Sequence, residues 1–167
     1  YTEFGENIPV ILALISIWYN NFFNTETQAV ITYDERLKFL SNYLQQLQME
    51  SGGKSVRTDG RSVKVKTSPI LWGGSGSEGQ HSYFQLLTQG KRLVPVDFIL
   101  PINPSGGHER DHTISIADCL SQSEIMMEGY KNKDLRLCHP GNKPSNTIIF
   151  KQLNPESLGQ LISLYEH

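Results

Sequence analysis

The chain has 167 residues, 38% hydrophobic and 10% aromatic, which suits one domain with a packed core and excludes a disordered segment. Its formal net charge of −2 provides no global basic field for nucleic acid or an acidic membrane. Cys119 and Cys138 form no C-x-x-C pair and suit a reducing compartment.

Residues 8–23 are apolar nearly all round and end in Trp18, Tyr19, Phe22 and Phe23, the pattern of a buried helix. The apolar run at 8–15 is shorter than the ~20 residues a membrane span needs. No positive residue precedes it, so no signal peptide is expected. The reading is a cytosolic protein. Residues 24–27 form a turn and 28–32 a short buried strand. Asp34 is placed to cap a helix over 35–49, where Leu37, Leu40, Leu44 and Leu47 recur at helical spacing.

Ser51-Gly52-Gly53 stops that helix. Asp59-Gly60 between residues 55–57 and 62–66 predicts a hairpin. Residues 69–72 read as a strand, 73–79 as a glycine-rich turn, and 80–88 as a helix closed by Gly90. Residues 93–100 read as a strand, placed at an edge because of Pro95. A loop over 101–107, a helix over 112–128, an irregular stretch over 130–145 and a strand over 146–153 follow. Pro155 opens a last helix, to 167. Alternating strands and helices predict a single α/β domain with a mainly parallel sheet.

Four features carry chemistry. W-G-G-S-G-S-E-G-Q-H over 72–81 puts glycines after a strand and before a helix, where backbone N–H groups approach anionic ligands. It places His81 near such a site. Gln46 and Glu50 lie four apart, on one helix face. Glu50 ends the helix, where a carboxylate suits abstraction of a carbon-bound proton beside a carbonyl; a solvated helix end is the plain alternative. His108-Glu109-Arg110-Asp111-His112 matches H-E-x-x-H, the zinc peptidase pattern. The preceding glycines and the polar surroundings weigh against it. Lys54, Arg57, Arg61, Lys64 and Lys66 form a basic stretch without interleaved aromatics, hence a solvated hairpin and not a nucleic-acid patch.

Three stretches taken together, residues 7–23, 43–54 (Y-L-Q-Q-L-Q-M-E-S-G-G-K) and 72–90, closely resemble glucose-6-phosphate isomerases in order and spacing. Further matches are V-D-F-I at 96–99, P-G-N-K-P-S-N at 140–146 and Y-E-H at 165–167. The resemblance implies an SIS-type three-layer α/β sandwich and interconversion of glucose 6-phosphate and fructose 6-phosphate. It implies no metal or other cofactor, and a homodimer whose active site is shared between subunits. It assigns the base to Glu50, ring opening to His81 and a substrate contact to Gln46.

The chain also departs from that family. Gly74, Ser75, Ser77 and Glu78 differ from the common loop, and Lys143 replaces a common arginine, losing bidentate geometry. The stretch between 128 and 137 is short. The family's phosphate-binding Ser/Thr loop, its G-G-R arginine and its G-V-E-x-x-K lysine have no counterpart here. The chain therefore reads as one SIS domain, residues 1–167, from an enzyme about three times as long. A non-catalytic sugar-phosphate-binding SIS module is the competing class, since it shares the fold without needing a base.

Overall fold

The computed structural model describes residues 2–104, 106 and 109–166. Four strands, β1 (Thr27–Thr32), β2 (Ile70–Ser75), β3 (Val96–Pro101) and β4 (Ser145–Phe150), form one sheet in the order β2-β1-β3-β4. Every pair is parallel. Helices must therefore carry the chain back between strands. They are α1 (Ile8–Phe22), α2 (Leu40–Leu44), α3 (Gly76–Gly79), α4 (Phe84–Gln89), α5 (Glu109–Glu128) and α6 (Pro155–Glu166).

The period-2 alternation of the strands sorts their side chains between two cores. Ala29, Ile31, Val96, Phe98 and Leu100 meet Phe84 and Leu87 of α4 and Cys119 and Met126 of α5. Val30, Leu71 and Ile99 meet Leu40 and Leu44 of α2 and Leu161 of α6 on the other face. The result is the expected three-layer α/β sandwich. Fully burying one such side chain is worth about 1.5–3 kcal/mol, so these two layers account for the sheet's position.

Several elements differ from their sequence reading. Helix α1 is not buried: Asn20 is its one buried residue, and Trp18 and Phe22 are 53% and 77% exposed. Its apolar outer face has no cover among the described residues. The helix expected over 35–49 is a 3-10 turn at Glu35–Leu37, then α2, then a π-helical turn at Gln45–Glu50. Asp34 does cap, accepting from Arg36 N at 3.0 Å. The hairpin is reduced to one antiparallel bridge, Val56 to Ser62. Strand β3 is central, not an edge. Pro95 precedes it, and the Pro95 carbonyl accepts from Ala29 N at 2.9 Å, so proline removes no ladder donor.

Residues 73–75 continue β2 and do not form a turn, and α3 starts at Gly76. Further on, Gly129 (φ +76°) and Gly141 (φ +66°) press backbone to backbone. A Cβ on Gly129 would lie 2.7 Å from Gly141 N, and one on Gly141 2.6 Å from Gly129 N. The contact closes the loop that runs from α5 to β4. No described helix is long and apolar enough to cross a membrane.

A carboxyl group sits inside the α1/α2/α6 layer. Asp97 of β3 is 2% exposed and accepts from Gln28 Nε2 at 2.8 Å, Asn146 Nδ2 at 2.8 Å and Tyr165 OH at 3.0 Å. The donors come from β1, β4 and α6, so one carboxyl ties four elements together. All three donors are neutral, and burial raises the Asp97 pKa despite them. Between the unfolded and folded pKa values the native state then binds more protons than the unfolded chain. Stability therefore falls as pH rises through that window. Wild-type stability is predicted to decline from about pH 4 upward through this group, whereas Asp97→Asn flattens that slope. Urea unfolding at a series of pH values measures both.

Candidate active site

Glu50 closes the π turn that follows α2. The inner face of that turn is fastened to the start of β2. Gln45 Nε2 donates to the Leu71 carbonyl at 2.9 Å, and Leu71 N donates to Met49 Sδ at 3.3 Å. Leu47 and Met49 pack on the core beneath. With those residues turned inward, Gln46 and Glu50 are exposed. Single π turns inside α-helices recur at functional sites. Here Glu50 is the last residue of the π turn, and the helix runs on through Gly52 instead of stopping at Glu50.

The Glu50 carboxylate is open to solvent. Its Oε1 lies 3.4 Å from Lys54 Nζ, with the Glu50 side chain 70% exposed, and Ser51 Oγ donates to Oε2 at 3.4 Å. Lys54 Nζ also donates to the Glu50 carbonyl. Sequence reading placed Lys54 only in a basic stretch. The signal that could have found the pair is the i,i+4 spacing of Lys54 from Glu50.

His81 occupies the turn between α3 and α4, and not the first turn of a helix as its sequence suggested. The turn is held on both sides. Gln80 donates to Asp118 of α5, and Tyr83 meets Trp72 edge-on with ring centroids 4.9 Å apart. Ser82 N and Tyr83 N both donate to the Gly79 carbonyl at 3.0 Å. Between these anchors His81 is exposed and makes no hydrogen bond to any described group.

The two residues stand at opposite ends of β2. Glu50 follows the residues bound to Leu71, at the strand's amino end, and His81 lies beyond Ser75, at its carboxyl end. Six residues at about 3.3 Å each put these ends on the order of 17 Å apart. The fold therefore brings Gln46 and Glu50 together and keeps His81 away from both within one chain.

Gly73, Gly76 and Gly79 of the W-G-G-S-G-S-E-G stretch serve packing. Val30 and Gly73 are paired across β1 and β2. At φ +144° a Cβ on Gly73 would fall 1.9 Å from the Val30 carbonyl oxygen. No side chain fits there. Nearby, the buried Tyr33 hydroxyl has no hydrogen-bond partner among the described residues, and burial raises its pKa.

The H-E-x-x-H reading falls partly outside the described residues. His108 lies outside the described residues. His112 Nε2 is 2.8 Å from the Ile102 carbonyl, and no group of three His, Cys, Asp or Glu side chains among the described residues is placed to hold a metal.

This is a parallel α/β sandwich carrying an exposed amide–carboxylate pair on a π turn. The chain belongs to the phosphoglucose isomerase family, whose model matches residues 1–167. It is 44% identical to a glucose-6-phosphate isomerase of Beijerinckia indica over 96% of this chain and 33% of that protein. It is 49% identical to glucose-6-phosphate isomerase 1 of Chromohalobacter salexigens over 98% of this chain and 30% of that protein. Among solved structures, a glucose-6-phosphate isomerase from Chlamydia trachomatis superimposes with a TM-score of 0.87 at 36% identity, covering 96% of this chain and 32% of that one. A hypothetical protein from Thermus thermophilus, TT0462, shares the fold at a TM-score of 0.57 and 17% identity. The chain thus spans about a third of the length of the glucose-6-phosphate isomerases it matches.

Gly73→Ala is predicted to cost at least about 2 kcal/mol, from the strained backbone and the clash with Val30. Chemical denaturation checks this. The reduced signal of the Trp72–Tyr83 contact in near-ultraviolet circular dichroism checks that the His81 turn has moved.

Proposed function

We propose that this chain is one SIS domain of an aldose–ketose isomerase that interconverts glucose 6-phosphate and fructose 6-phosphate in the cytoplasm, without a metal or other cofactor. The observation that carries the proposal is the exposed Gln46–Glu50 pair on the π turn in a chain of the phosphoglucose isomerase family. A non-catalytic module needs no such carboxylate.

The substrate arrives mainly as a closed ring. Opening it moves a proton between the ring oxygen and the anomeric hydroxyl. An imidazole can give or take a proton near neutral pH, and His81 has no competing partner among the described residues. The open aldose then loses the C2 proton to Glu50. Electrons shift onto the C1 carbonyl oxygen, which takes up a proton, giving a cis-enediol. Glu50 returns the C2 proton to C1 while the C2 hydroxyl gives up its own proton, and the C2 oxygen becomes the ketone. One carboxylate serves both transfers because C1 and C2 are adjacent. Gln46, on the same face, offers an amide to a substrate hydroxyl. Holding base and carbon in register contributes several kcal/mol, about 7–11 in ideal cases.

The separation of Glu50 from His81 along β2 favours a homodimer in which each site takes Glu50 from one subunit and His81 from the other. The same separation makes the single chain an incomplete site.

In the full-length protein that carries this chain, Glu50→Gln is expected to lower turnover on the order of 10²–10⁴-fold with the fold intact. Near-normal turnover would remove Glu50 as the base. Mixing full-length Glu50→Gln and His81→Ala subunits tests the shared site. Once exchange is verified by native mass spectrometry, each heterodimer should regain about half of wild-type activity, because one of its two sites keeps both residues. Activity that stays at the level of the separate variants would place both residues in one subunit's site.

A further inference from the structure

The opposite edge of the sheet holds a cavity that the isomerase reading does not use. It has a volume of about 610 Å³ and lies between the segment leaving α4 and the loop entering β4. Small-molecule sites run to about 300–1,000 Å³. Its wall carries Lys91, Arg92, Lys131, His139 and Lys143, together with Tyr130, and no carboxylate lines it.

Two of these groups point to an anionic ligand. Lys143 is 8% exposed, and its ammonium donates to the Gly90 carbonyl at 2.6 Å and the Arg92 carbonyl at 3.2 Å. Those carbonyls use two of three ammonium protons, and no described carboxylate neutralises the charge. A buried charge without a counterion is costly, and burial accordingly lowers the Lys143 pKa.

His139 gives the second, independent indication. Its Nε2 lies 3.4 Å from Gln89 Nε2. That amide nitrogen is a donor, shared with the Arg136 and Cys138 carbonyls. Both amide protons are matched by those carbonyls, and the contact to His139 Nε2 is the longest of the three. Nδ1 is buried and has no hydrogen-bond partner among the described residues. Buried polar atoms left without a partner are rare in native proteins and call for an explanation.

The wall that holds both groups is fixed in place. Tyr130 and His139 exchange backbone hydrogen bonds at 2.9 and 2.8 Å, and Lys143 N donates to the Met126 carbonyl at 2.9 Å. The Gly129–Gly141 contact closes the loop behind them.

We propose that this cavity binds a small organic phosphate, with its phosphate group among Lys143, His139, Lys91, Arg92 and Lys131 and its organic body against Tyr130. The volume exceeds the needs of a bare phosphate, and the Tyr130 ring is 52% exposed. Lys143 precedes β4 and Glu50 neighbours β2, at opposite edges of the sheet. Three strand spacings of about 4.8 Å put them on the order of 14 Å apart, so this is a second site and stands independently of the isomerase reading.

Isothermal titration of the full-length protein with phenyl phosphate and with inorganic phosphate, at constant ionic strength, tests the proposal. The variants are Lys143→Met and the double variant Arg92→Gln/Lys131→Gln, which alters only exposed side chains and keeps the test valid if Lys143→Met misfolds. The expected result is a phenyl phosphate binding event weakened at least about tenfold in the double variant, with any event at the Glu50 site unchanged. Phenyl phosphate should also bind this cavity more tightly than inorganic phosphate. Unchanged titrations in the double variant would overturn the site. Equal affinity for the two probes would overturn the organic part and leave a free-phosphate site.

Discussion

The fastening of the α2 helix end to the first residues of β2 sets the geometry of everything functional in this chain. Gln45 and Met49 bond to the two backbone groups of Leu71. That grip decides which side chains of the π turn are inward and which are outward. It also fixes Glu50 at one end of a strand whose other end leads to His81. A shift of the helix by one residue would replace Glu50 by its neighbours and leave the inner face without partners. The position of the carboxylate is thus a property of strand β2 as much as of the helix that bears it.

The pattern of apolar residues made the sandwich legible. Two periodicities, one for strands and one for helices, alternate along the sequence, and the parallel sheet follows. The Gln46–Glu50 pair was legible too, because four-residue spacing gives a common face in either kind of helical turn. The π turn itself was not, since it depends on the bonds to Leu71 and not on the identity of residues 45–50. The edge assignment of β3 failed on one residue: Pro95 was counted inside the strand, whereas the ladder starts at Val96. The glycine-rich run was misread for a related reason. A glycine at φ +144° can remain in an extended strand, so glycine content alone did not separate strand from turn.

Helix α1 marks the limit of patterning in another way. Its composition indicates burial, and its outer face is open. Patterning reports what a helix needs to cover, not which residues cover it. Asp97 escaped notice for the opposite reason. A lone acid in an otherwise apolar strand has no periodicity, and its three donors come from residues 28, 146 and 165. Only the fold assembles them. The same holds for the cationic cavity, whose members are drawn from two loops about 40 residues apart.

The contact between Gly129 and Gly141 has a consequence for how this protein can change over time. The two backbones are sealed together at the base of the loop, and neither position admits even a methyl group. Residues between them can be added or removed without disturbing the entry into β4. Lengthening such a closed excursion is cheap, about 0.6 kcal/mol for each doubling. The clasp divides the region into a base closed to substitution and a tip free to vary in length, so this segment can gain or lose whole stretches while the sheet behind it stays in register.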